Sequence, residues 1–441
     1  MLNIAVKIIP EPVKNILRLL RSSLITPIQK KLLVKRMRIK HEQLLTEKKE
    51  KEKIKVVFLE LFKSMWKLDP VFRKMLEDPY FEPIILVCPC VSYGDNAMWT
   101  GMQETISFFE EKNYPVISAY DNLEQKWLSL KEIDPDIVFF SIPHNMTRQE
   151  YYSDAYLNYL SCFCGYGYII SELGDKVSNF NQHLHNALWR NFATDEYAYS
   201  GFEKYSTAKG LNSILTGFPI IEDLIKKKSN NKVWKTNDTR IKIIFAPHHS
   251  IKDILGFKLS NFLEYAHFFQ ELPTKYKKDI VWCFKPHPEL KSKLYQHSDW
   301  GVEKTDNYYN FWRTQENTQF DDGEYIDLFI ESDAMIHDCG TFLIEYLTQK
   351  KPVLYLISEK THQTLSPLAM RAIQACTQAK NKNEIEQFIC SLIAQTARIK
   401  DEHTDFYEQE FIPLYYKNQP SKQIIQEIKQ YTSDKSWIEN V

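Results

Sequence analysis

The sequence predicts an α/β protein in which two parallel-sheet domains follow a basic helical arm. Apolar runs without polar alternation recur along the 441 residues and are separated by helical segments, a pattern typical of parallel sheets covered on both faces. A polar and charged stretch, 226–239, interrupts this alternation near the middle of the chain. Residues 1–53 contain 14 Lys and Arg against five Asp and Glu, whereas the whole chain has a formal net charge of −1. This asymmetry indicates an appended basic arm, and the overall charge gives no reason to expect a nucleic-acid partner.

The basic arm, 1–53, mixes Ile, Leu and Val at helical spacing with Lys and Arg, and Pro27 divides it into two pieces. This composition favours an amphipathic helix on an anionic membrane surface. The alternative is a helix that packs on the protein's own surface or on a partner. No run approaches the ~18 apolar residues of a membrane span, and no signal-peptide cleavage pattern follows the arm.

The first predicted domain, 54–225, alternates strands and helices. Strands are predicted at 55–61, 83–88, 114–119, 135–141 and 213–219, and helices at 68–78, 97–112 and 183–206. The stretch 226–239 is interpreted as the linker to the second domain. Short apolar runs bounded by turn residues are the signal for the strands, and apolar residues at a spacing of three and four are the signal for the helices.

The second predicted domain, 240–400, repeats the pattern and is followed by a helical tail, 401–441. Strands are predicted at 241–247, 279–284, 333–338 and 351–357, and helices at 259–276, 325–332, 340–349 and from 383 onward. Two α/β domains of similar size place a ligand site in the cleft between them.

Eight cysteines in a chain without a secretory signal indicate reduced thiols and a cytosolic protein. Two C-x-C pairs, Cys88 with Cys90 and Cys162 with Cys164, raise the alternative of a zinc site. Both pairs lie in apolar, strand-like runs, and their spacing is a poor match to the usual zinc patterns. We therefore interpret them as core residues and predict no metal.

Two strands of the second domain end in residues suited to a nucleotide diphosphate. His248 and His249 follow the first strand, and Lys285 and His287 follow the second. Adjacent strand ends converge in space, at the edge where open α/β sheets bind ligands. Lys285 and a protonated imidazole would stabilise the diphosphate and the charge that develops as it leaves.

A third strand end predicts an anion site of its own. The strand ends in Asp338, and Gly340 and Thr341 then open a helix. Unpaired backbone N–H groups and the helix dipole favour an anion there, and Gly340 allows close approach. Glu345 lies on the same helix face as Thr341 and is expected to accept hydrogen bonds from ribose hydroxyls. The alternative is an ordinary capped helix.

Four segments, in this order and spacing, carry a family resemblance: IIFAPHHS, FKPHPEL, YIDLFIESDAMIHDCGTFLIEYL and KPVLYL. They resemble the C-terminal half of the CDP-glycerol glycerophosphotransferases, a family that includes teichoic-acid polymerases and relatives in capsule and surface-polysaccharide pathways. The resemblance covers about 55–430 and is clearest over 241–357. It implies a GT-B fold, a cytidine diphosphate donor held by the second domain, and no obligatory metal or cofactor. It also implies a cytoplasmic protein, peripheral at the inner face of the cell membrane, that acts on lipid-linked or polysaccharide acceptors.

Residue by residue, His287 matches the family's donor-phosphate histidine. Cys339, Gly340 and Thr341 fall where the family usually has a hydroxyl-bearing pair, so phosphate binding would depend more on the backbone and Thr341. Cys164 stands where the polymerases have the histidine taken as the base. The candidates for a relocated base are His144, Glu172 and His185, and the candidate catalytic residues in the second domain are His248 and His287.

The predicted function is transfer of glycerol phosphate, or a similar polyol phosphate, to a hydroxyl of a growing bacterial surface glycan. That glycan would be a capsule, a teichoic-acid-like polymer or lipopolysaccharide, and CMP would leave after attack at the donor's β-phosphorus. One alternative is a GT-B glycosyltransferase that uses a nucleotide sugar in capsule or O-antigen synthesis. A sugar-nucleotide epimerase is less favoured, because such an enzyme needs no membrane arm. A non-catalytic nucleotide-binding assembly subunit is the alternative of another class.

Overall fold

The structure is a computed structural model. It describes residues 26–49, 51–172, 176–226, 229, 232–236, 239–253, 258–358, 361, 364–416 and 418–433. Most of these residues belong to two parallel sheets and the helices that cover them, as the sequence predicts.

The first sheet has the strand order β3-β2-β1-β6-β7-β8-β9, with every pair parallel. Its strands are β1 (Ile54–Glu60), β2 (Phe81–Val87), β3 (Val116–Ser118), β6 (Ile137–Phe140), β7 (Leu160–Phe163), β8 (Arg190–Ala193) and β9 (Ser213–Leu215). A small antiparallel hairpin, β4 (Tyr120–Asp121) with β5 (Lys126–Trp127), follows β3. The strand order reverses direction between β1 and β6, which defines the switch point of this sheet.

The helices of this half lie between consecutive strands. They are α2 (Asp69–Glu77), α3 (Asp95–Glu111), α4 (Leu130–Ile133), α5 (Ser153–Asn158), α6 (Lys176–Phe180), α7 (His183–Ala187), α8 (Glu196–Tyr205) and α9 (Ile221–Lys226). The predicted single helix over 183–206 is wrong, because β8 divides it into α7 and α8. Asn191 and Phe192 are buried in β8, whose backbone pairs with β7 and β9 on either side. This tertiary pairing overrides a helical apolar spacing.

The second sheet has the order β12-β11-β10-β13-β14-β15, again with parallel pairs. Its strands are β10 (Ile241–Ala246), β11 (Ile280–Phe284), β12 (Thr318–Phe320), β13 (Ala334–His337), β14 (Val353–Leu356) and β15 (Thr377–Ala379). The switch point of this sheet lies between β10 and β13. The edge strands β12 and β15 are additions to the prediction.

Helices cover the second sheet and continue into the tail. They are α10 (Phe262–Lys275), α11 (Leu290–Tyr295), α12 (Gly301–Thr314), α13 (Ile326–Glu331), α14 (Phe342–Glu345), α15 (Pro367–Ala375), α16 (Lys382–Ile393), α17 (Asp401–Phe406) and α18 (Pro420–Thr432). A 3₁₀ turn, Tyr346–Gln349, continues α14, and a π-helical segment, Tyr407–Tyr416, joins α17 to the last helix.

The apolar core runs through both halves. Val56 and Phe58 of β1 belong to the same buried cluster as Ile244 and Ala246 of β10. The opposite face of each sheet has its own cluster, with Val57 among the residues on the first sheet. This alternation is the two-faced burial expected of parallel strands.

The C-terminal tail returns to the first half of the chain. Arg190 pairs with Glu427 of α18 at 2.6 Å, and the Ser421 hydroxyl donates to the buried Glu222 carboxylate at 2.8 Å. The predicted limits of the two domains, the linker and the tail stay predictions.

The described part of the basic arm is a helix, α1 (Thr26–Lys48), that packs on the protein itself. One stripe of the helix is buried: Lys30, Leu33, Met37 and His41. The Lys30 ammonium donates to the carbonyl oxygen of Asn181 at 2.5 Å. Residues 1–25 and 50 of the predicted arm lie outside the described residues. No helix in the described ranges is both long and apolar enough to cross a membrane.

The cysteines of both C-x-C pairs are buried free thiols, which confirms their interpretation as core residues. Within the described ranges, the side chains that lie close enough together to hold a metal ion are those of His248, His249 and His287. This group contains no cysteine.

Candidate functional site

The switch point of the second sheet brings two predicted site segments together. The segment after β10 carries His248, and the segment after β13 carries Asp338. An Asp338 carboxylate oxygen accepts a hydrogen bond from the His248 backbone N–H at 2.6 Å. Ligand sites in open parallel sheets lie in the crevice at such a point.

Asp338 joins the segments on both sides of this crevice through hydrogen bonds. Its other oxygen accepts from the backbone N–H of Asn261 at 2.6 Å and from that residue's amide at 3.3 Å. Burial raises the pKa of Asp338 to about 7, although these hydrogen bonds oppose the rise. Both oxygens of Asp338 already accept hydrogen bonds that join the two segments, and its predicted contact with the donor stays a prediction.

The three predicted histidines form one cluster. The ring centroids lie 4.2 Å apart for His248 and His249, 4.1 Å for His249 and His287, and 5.2 Å for His248 and His287. The backbone holds the two strand ends in register, since the N–H of His287 donates to the Pro247 carbonyl at 3.0 Å. One nitrogen from each ring lies within 4.8 Å of the others, a spacing that would suit a metal ion.

The hydrogen bonds to these rings favour an anion over a metal. The backbone N–H of Ser250 donates to Nδ1 of His248, and that of Glu289 donates to Nδ1 of His287, each at 3.2 Å. The Lys293 ammonium lies against Nδ1 of His249. Backbone amides only donate, so the neutral rings of His248 and His287 carry their protons on Nε2. Nδ1 of His249, in contrast, lies between the Lys293 ammonium and the Glu289 carboxylate. An Nε2–H group donates to a phosphate oxygen, whereas a metal needs an unprotonated nitrogen.

Burial favours the neutral form of these histidines in the ligand-free protein, and the expected imidazolium beside a bound diphosphate stays a prediction. Burial lowers the pKa of His287 to about 3, with His249 and Lys293 adding to the effect. Burial also lowers the pKa of His249 to about 4. Burial is likewise the main cause that lowers the pKa of His248 well below its usual range.

The nearby lysines supply the positive charge. Lys285 is buried, and its ammonium contacts Asp321 at 2.5 Å and the Gly323 carbonyl at 2.8 Å. Lys293 is half-buried and contacts Glu289 at 3.0 Å. The sequence analysis missed Lys293, although its place on α11, shortly after His287, was a usable signal.

The predicted anion site at Gly340 is covered. A Cβ on Gly340 would lie 2.3 Å from Cδ1 of Ile170, and a Cβ on Gly167 would lie 2.5 Å from Cγ2 of Thr341. The loop after β7 in the first half thus packs directly on this turn. The absence of a side chain at Gly340 is explained by this packing rather than by the approach of a phosphate, and α14 is itself only four residues long.

Glu345 is fully buried where the two halves meet. Burial raises the pKa of Glu345, and Lys67 of the first half, followed by Tyr325, opposes the rise. The Lys67 ammonium donates to the Tyr325 hydroxyl at 3.1 Å. In this arrangement the carboxylate faces protein, and its predicted contact with a ribose stays a prediction.

The candidate bases of the first half are in different environments. His144 is exposed on the loop after β6, at the carboxyl edge of the sheet. His185 is buried, with its ring centroid 5.7 Å from that of Phe163, and burial lowers its pKa to about 3. Glu172 is already paired, with Lys176 and the Tyr197 hydroxyl each at 2.5 Å. Of the three candidates, His144 is exposed and His185 is buried, and the role of each as the base stays a prediction.

Cys164 does not replace a base. It is buried directly after β7, and burial raises the pKa of its thiol to about 12. A thiol with that pKa stays protonated at neutral pH. In the loop that follows, Tyr166 donates its backbone N–H to the Ser141 carbonyl at 3.1 Å.

Glu60 is a fully buried acid at the switch point of the first sheet that the sequence patterns did not single out. It ends β1, and its carboxylate accepts from the hydroxyl of Ser141, directly after β6, at 3.0 Å. This hydrogen bond spans the switch point of the first sheet. Oε1 of Glu60 has no hydrogen-bond partner among the described residues. Burial raises the pKa of Glu60 to about 8, although the hydrogen bond from Ser141 lowers it. A glutamate at the end of an apolar strand was the available signal.

The first half approaches the histidine cluster through two tyrosines. Burial raises the pKa of Tyr93 and of Tyr166, and the Glu289 carboxylate adds to the rise at both. Glu289 itself lies 3.4 Å from Nδ1 of His249. Tyr93 is 59% exposed, so part of this wall is open to solvent.

Comparison with solved structures supports the fold. The wall teichoic acid polymerase TagF, in a histidine-to-asparagine variant, matches with a TM-score of 0.55 and 13% identity over 94% of this chain and 99% of that chain. The same variant soaked with CDPG gives a TM-score of 0.54 and 12% identity, with coverages of 92% and 97%. The UDP-GlcNAc 2-epimerase from Neisseria meningitidis bound to UDP-GlcNAc gives 0.51 and 16%, with coverages of 86% and 100%. These likenesses confirm the predicted GT-B fold.

Comparison with sequence families identifies the chain. No curated protein matches it. The family model of the CDP-Glycerol:Poly(glycerophosphate) glycerophosphotransferases matches residues 176–417, more than half of the chain and all of the second sheet. The chain therefore belongs to the CDP-Glycerol:Poly(glycerophosphate) glycerophosphotransferase family and is a transferase of that kind.

Proposed function

We propose that this protein moves glycerol phosphate, or a similar polyol phosphate, from a CDP-activated donor to a hydroxyl of a growing bacterial surface glycan. The acceptor would be a teichoic-acid-like, capsular or lipopolysaccharide glycan. The observation that carries the proposal is the histidine cluster at the switch point of the second sheet, in which His248 and His287 carry their ring protons on Nε2. Such a cluster suits a diphosphate, and the family supplies the class of donor.

In this proposal the donor diphosphate lies against the cluster. The Nε2–H of His287 donates to a phosphate oxygen, and His248 and His249 complete the wall. Lys293 and Lys285 lower the electrostatic cost of the charge that develops. The acceptor oxygen attacks the β-phosphorus, a new O–P bond forms, and the bond from that phosphorus to the bridging oxygen breaks. CMP leaves with the bond's electron pair.

The proton of the acceptor hydroxyl must go to a base, and we propose His144. His144 is exposed, but partial desolvation by its surroundings lowers its pKa, which favours the unprotonated imidazole that a base requires. Glu60 is proposed as a positioning residue for the same loop, because it binds Ser141 three residues before His144. Glu172 and His185 are less suited, since one is paired and the other is enclosed.

We keep the proposal that the donor contacts Gly340, Thr341 and Glu345, but in a conformation of the protein in which the two halves are further apart. The loop 165–171 and Lys67 cover them here, so a nucleotide would reach them only after the two halves part. Closure of two GT-B halves over a donor is consistent with such a movement.

We also propose that α1 lies on an anionic membrane at its cytoplasmic face. Its exposed side carries Ile28, Leu32 and Ile39, which are interleaved with the exposed cations Lys31, Lys35, Arg36 and Arg38. The opposite side packs into the protein, which fixes the direction in which this face points. Apolar side chains set among cations are the composition of an interfacial helix.

The test is nucleotide release by purified protein. The donors are CDP-glycerol, CDP-ribitol and common UDP-, GDP- and CMP-sugars, with a crude membrane or lipid-glycan extract as acceptor. We expect CMP from a CDP-polyol, and a loss of about 10- to 100-fold in kcat/KM in His287→Ala, since a hydrogen bond to a charged group contributes ~1.5–3 kcal/mol. His287→Gln keeps an N–H donor and should lose less.

A matched control is His267→Ala, because His267 is 86% exposed on α10, away from the cluster. This variant should release CMP at the wild-type rate. UDP or GDP released from a sugar would instead identify a nucleotide-sugar glycosyltransferase. Nucleotide binding without any release would favour a non-catalytic assembly subunit.

A further inference from the structure

Three aromatic side chains form a partly exposed surface on the first half, here called the aromatic platform: Trp99, Tyr120 and Trp127. Trp99 and Trp127 stack with ring centroids 5.7 Å apart and planes 15° from parallel. Tyr120 meets each of them edge-on at 5.0 Å. The guanidinium of Arg148 lies 4.8 Å from the Trp127 ring.

Folding does not explain the exposure of Trp99. The buried stripe of α3 is Met98, Met102, Thr105 and Phe109, and Trp99 lies beside that stripe with 42% of its surface exposed. Within the described residues, the neighbouring segment 91–97 is exposed throughout and includes Tyr93. A large aromatic that adjoins other exposed apolar residues marks an interaction site more often than a lone one does.

The platform lies at the edge of the sheet that faces the reaction site. Trp99 is in the second turn of α3, which begins after the carboxyl end of β2, and Tyr120 follows the carboxyl end of β3. Tyr93, between β2 and α3, lies close enough to Glu289 for that carboxylate to raise its pKa. The loop that carries Tyr93 therefore leads from the end of β2 to the helix that carries Trp99.

The polar groups around Trp99 indicate the class of ligand. Asp95 and Gln103 lie four residues before and after Trp99 on α3, so they share its helix face, and both are exposed. A carboxylate, a carboxamide and the Arg148 guanidinium offer acceptors and donors for hydroxyl groups. Trp99 stacks on Trp127 through one face, and its 42% exposure leaves the other side as an apolar surface for ring C–H groups. This combination suits a pyranose. A polyol phosphate has no ring face to stack on an indole, and a lipid tail has no groups that hydrogen-bond to the polar side chains around Trp99.

We propose that the aromatic platform is a subsite for a pyranose ring of the acceptor. The inference rests on the proposed function and adds to it that the acceptor contains a sugar ring near the hydroxyl that receives the polyol phosphate. Trp99 is the specificity-determining residue of this subsite.

The first experiment is saturation-transfer NMR on the full chain, which needs no turnover. The probes are cellobiose and chitobiose at millimolar concentration, the range of weak sugar binding, with glycerol phosphate as the ring-free comparison. We expect transfer to the ring protons of at least one disaccharide, none to glycerol phosphate, and a severalfold loss in Trp99→Ala. Trp99→Phe should recover part of the signal. The control is Leu211→Ala, since Leu211 is exposed before β9 at the opposite edge of the sheet.

Two results of that experiment would overturn the inference: no transfer to either disaccharide in the wild type, or equal transfer in Trp99→Ala. A second experiment compares CMP release with a saccharide-ended acceptor. We expect KM for that acceptor to rise roughly tenfold in Trp99→Ala with KM for the donor unchanged. CMP release with an unchanged acceptor KM would support the proposed function and overturn the subsite. Disaccharide binding through Trp99 without CMP release would support the subsite and overturn the proposed function.

Discussion

At the scale of single residues, a buried acid spans the switch point of each sheet. Asp338 joins the ends of β13 and β10, and Glu60 joins the ends of β1 and β6 through Ser141. Their environments differ in one respect. The Asp338 oxygens accept several hydrogen bonds, whereas Oε1 of Glu60 has no hydrogen-bond partner among the described residues. The unsatisfied oxygen leaves Glu60 sensitive to its state of protonation.

This sensitivity predicts a pH dependence of stability. The pKa of Glu60 is raised by burial to about 8 from an ordinary value of 4.5, so the folded protein holds a proton that the unfolded chain has lost between these values. Stability from this group is therefore complete below about pH 4.5 and falls as pH rises towards 8, by at most about 1.4 kcal/mol per pH unit. In Glu60→Gln, Tm should fall less across this window than in the wild type, as measured by calorimetry.

A surface carboxylate provides the comparison. Glu303→Gln changes an exposed side chain on α12 and should leave the wild-type dependence in place. If Glu60→Gln and the wild type lose Tm in parallel between pH 5 and 8, Glu60 is ionised throughout and its proposed environment is wrong.

At the scale of elements, β10 and β13 are joined at both ends by aspartates. Asp338 accepts the His248 N–H at the carboxyl end, and Asp333 accepts the Lys242 N–H at the amino end at 2.8 Å. Only the carboxyl end carries the histidine cluster. Variants of Asp338 and Asp333 can therefore be compared, to distinguish the effect of the hydrogen bond on stability from its effect on the candidate site.

Asp338→Asn should weaken both stability and donor binding. An asparagine presents an NH₂ group to one of two backbone donors, which leaves a buried N–H unpaired at a cost of about 1–3 kcal/mol. Calorimetry would measure Tm, and titration with CDP-glycerol would measure affinity. Asp333→Asn, at the exposed end, should lower Tm less and leave the affinity unchanged. Equal losses of affinity in both variants would contradict the positioning role of Asp338.

The elements also show what the sequence could predict. Most buried central strands were predicted because apolar runs of four to seven residues carry a strong signal. The short strands β8, β12 and β15 were missed because Arg190–Ala193, Thr318–Phe320 and Thr377–Ala379 contain polar residues whose pairing is decided by neighbouring strands. The predicted carboxyl ends of β10 and β11 were sufficient to identify the histidines that follow these strands as candidate site residues.

The remaining site residues depended on tertiary contacts. The burial of Glu60 and of Glu345 and the covering of Gly340 by Ile170 involve segments that are far apart in the chain. The same holds for the protonation of the histidines, which depends on where their Nδ1 atoms point. A pattern of residue types identifies which side chains gather, but not which of their atoms remain available.

At the scale of the whole molecule, the two halves contact each other closely at the turn after β13. Gly340→Ala should destabilise this contact, because the new Cβ would lie 2.3 Å from Cδ1 of Ile170. Such overpacking typically costs ~1–3 kcal/mol. Ile170→Ala removes the obstructing atoms, so the double variant should lose less Tm than the sum of the single variants. A strictly additive loss would show that the two residues do not touch in solution.

The core that passes through both sheets has a consequence for how the protein can be divided. Val56 and Phe58 share their cluster with Ile244 and Ala246, and α18 packs against the first half after the chain has completed the second. A fragment that stopped at the linker would leave this face of the first sheet bare, and it would also lack α18, whose Ile424 and Ile428 lie in the same cluster. The alternation of strands and helices thus predicts two units of architecture, while the shared core predicts that the two halves fold as a pair.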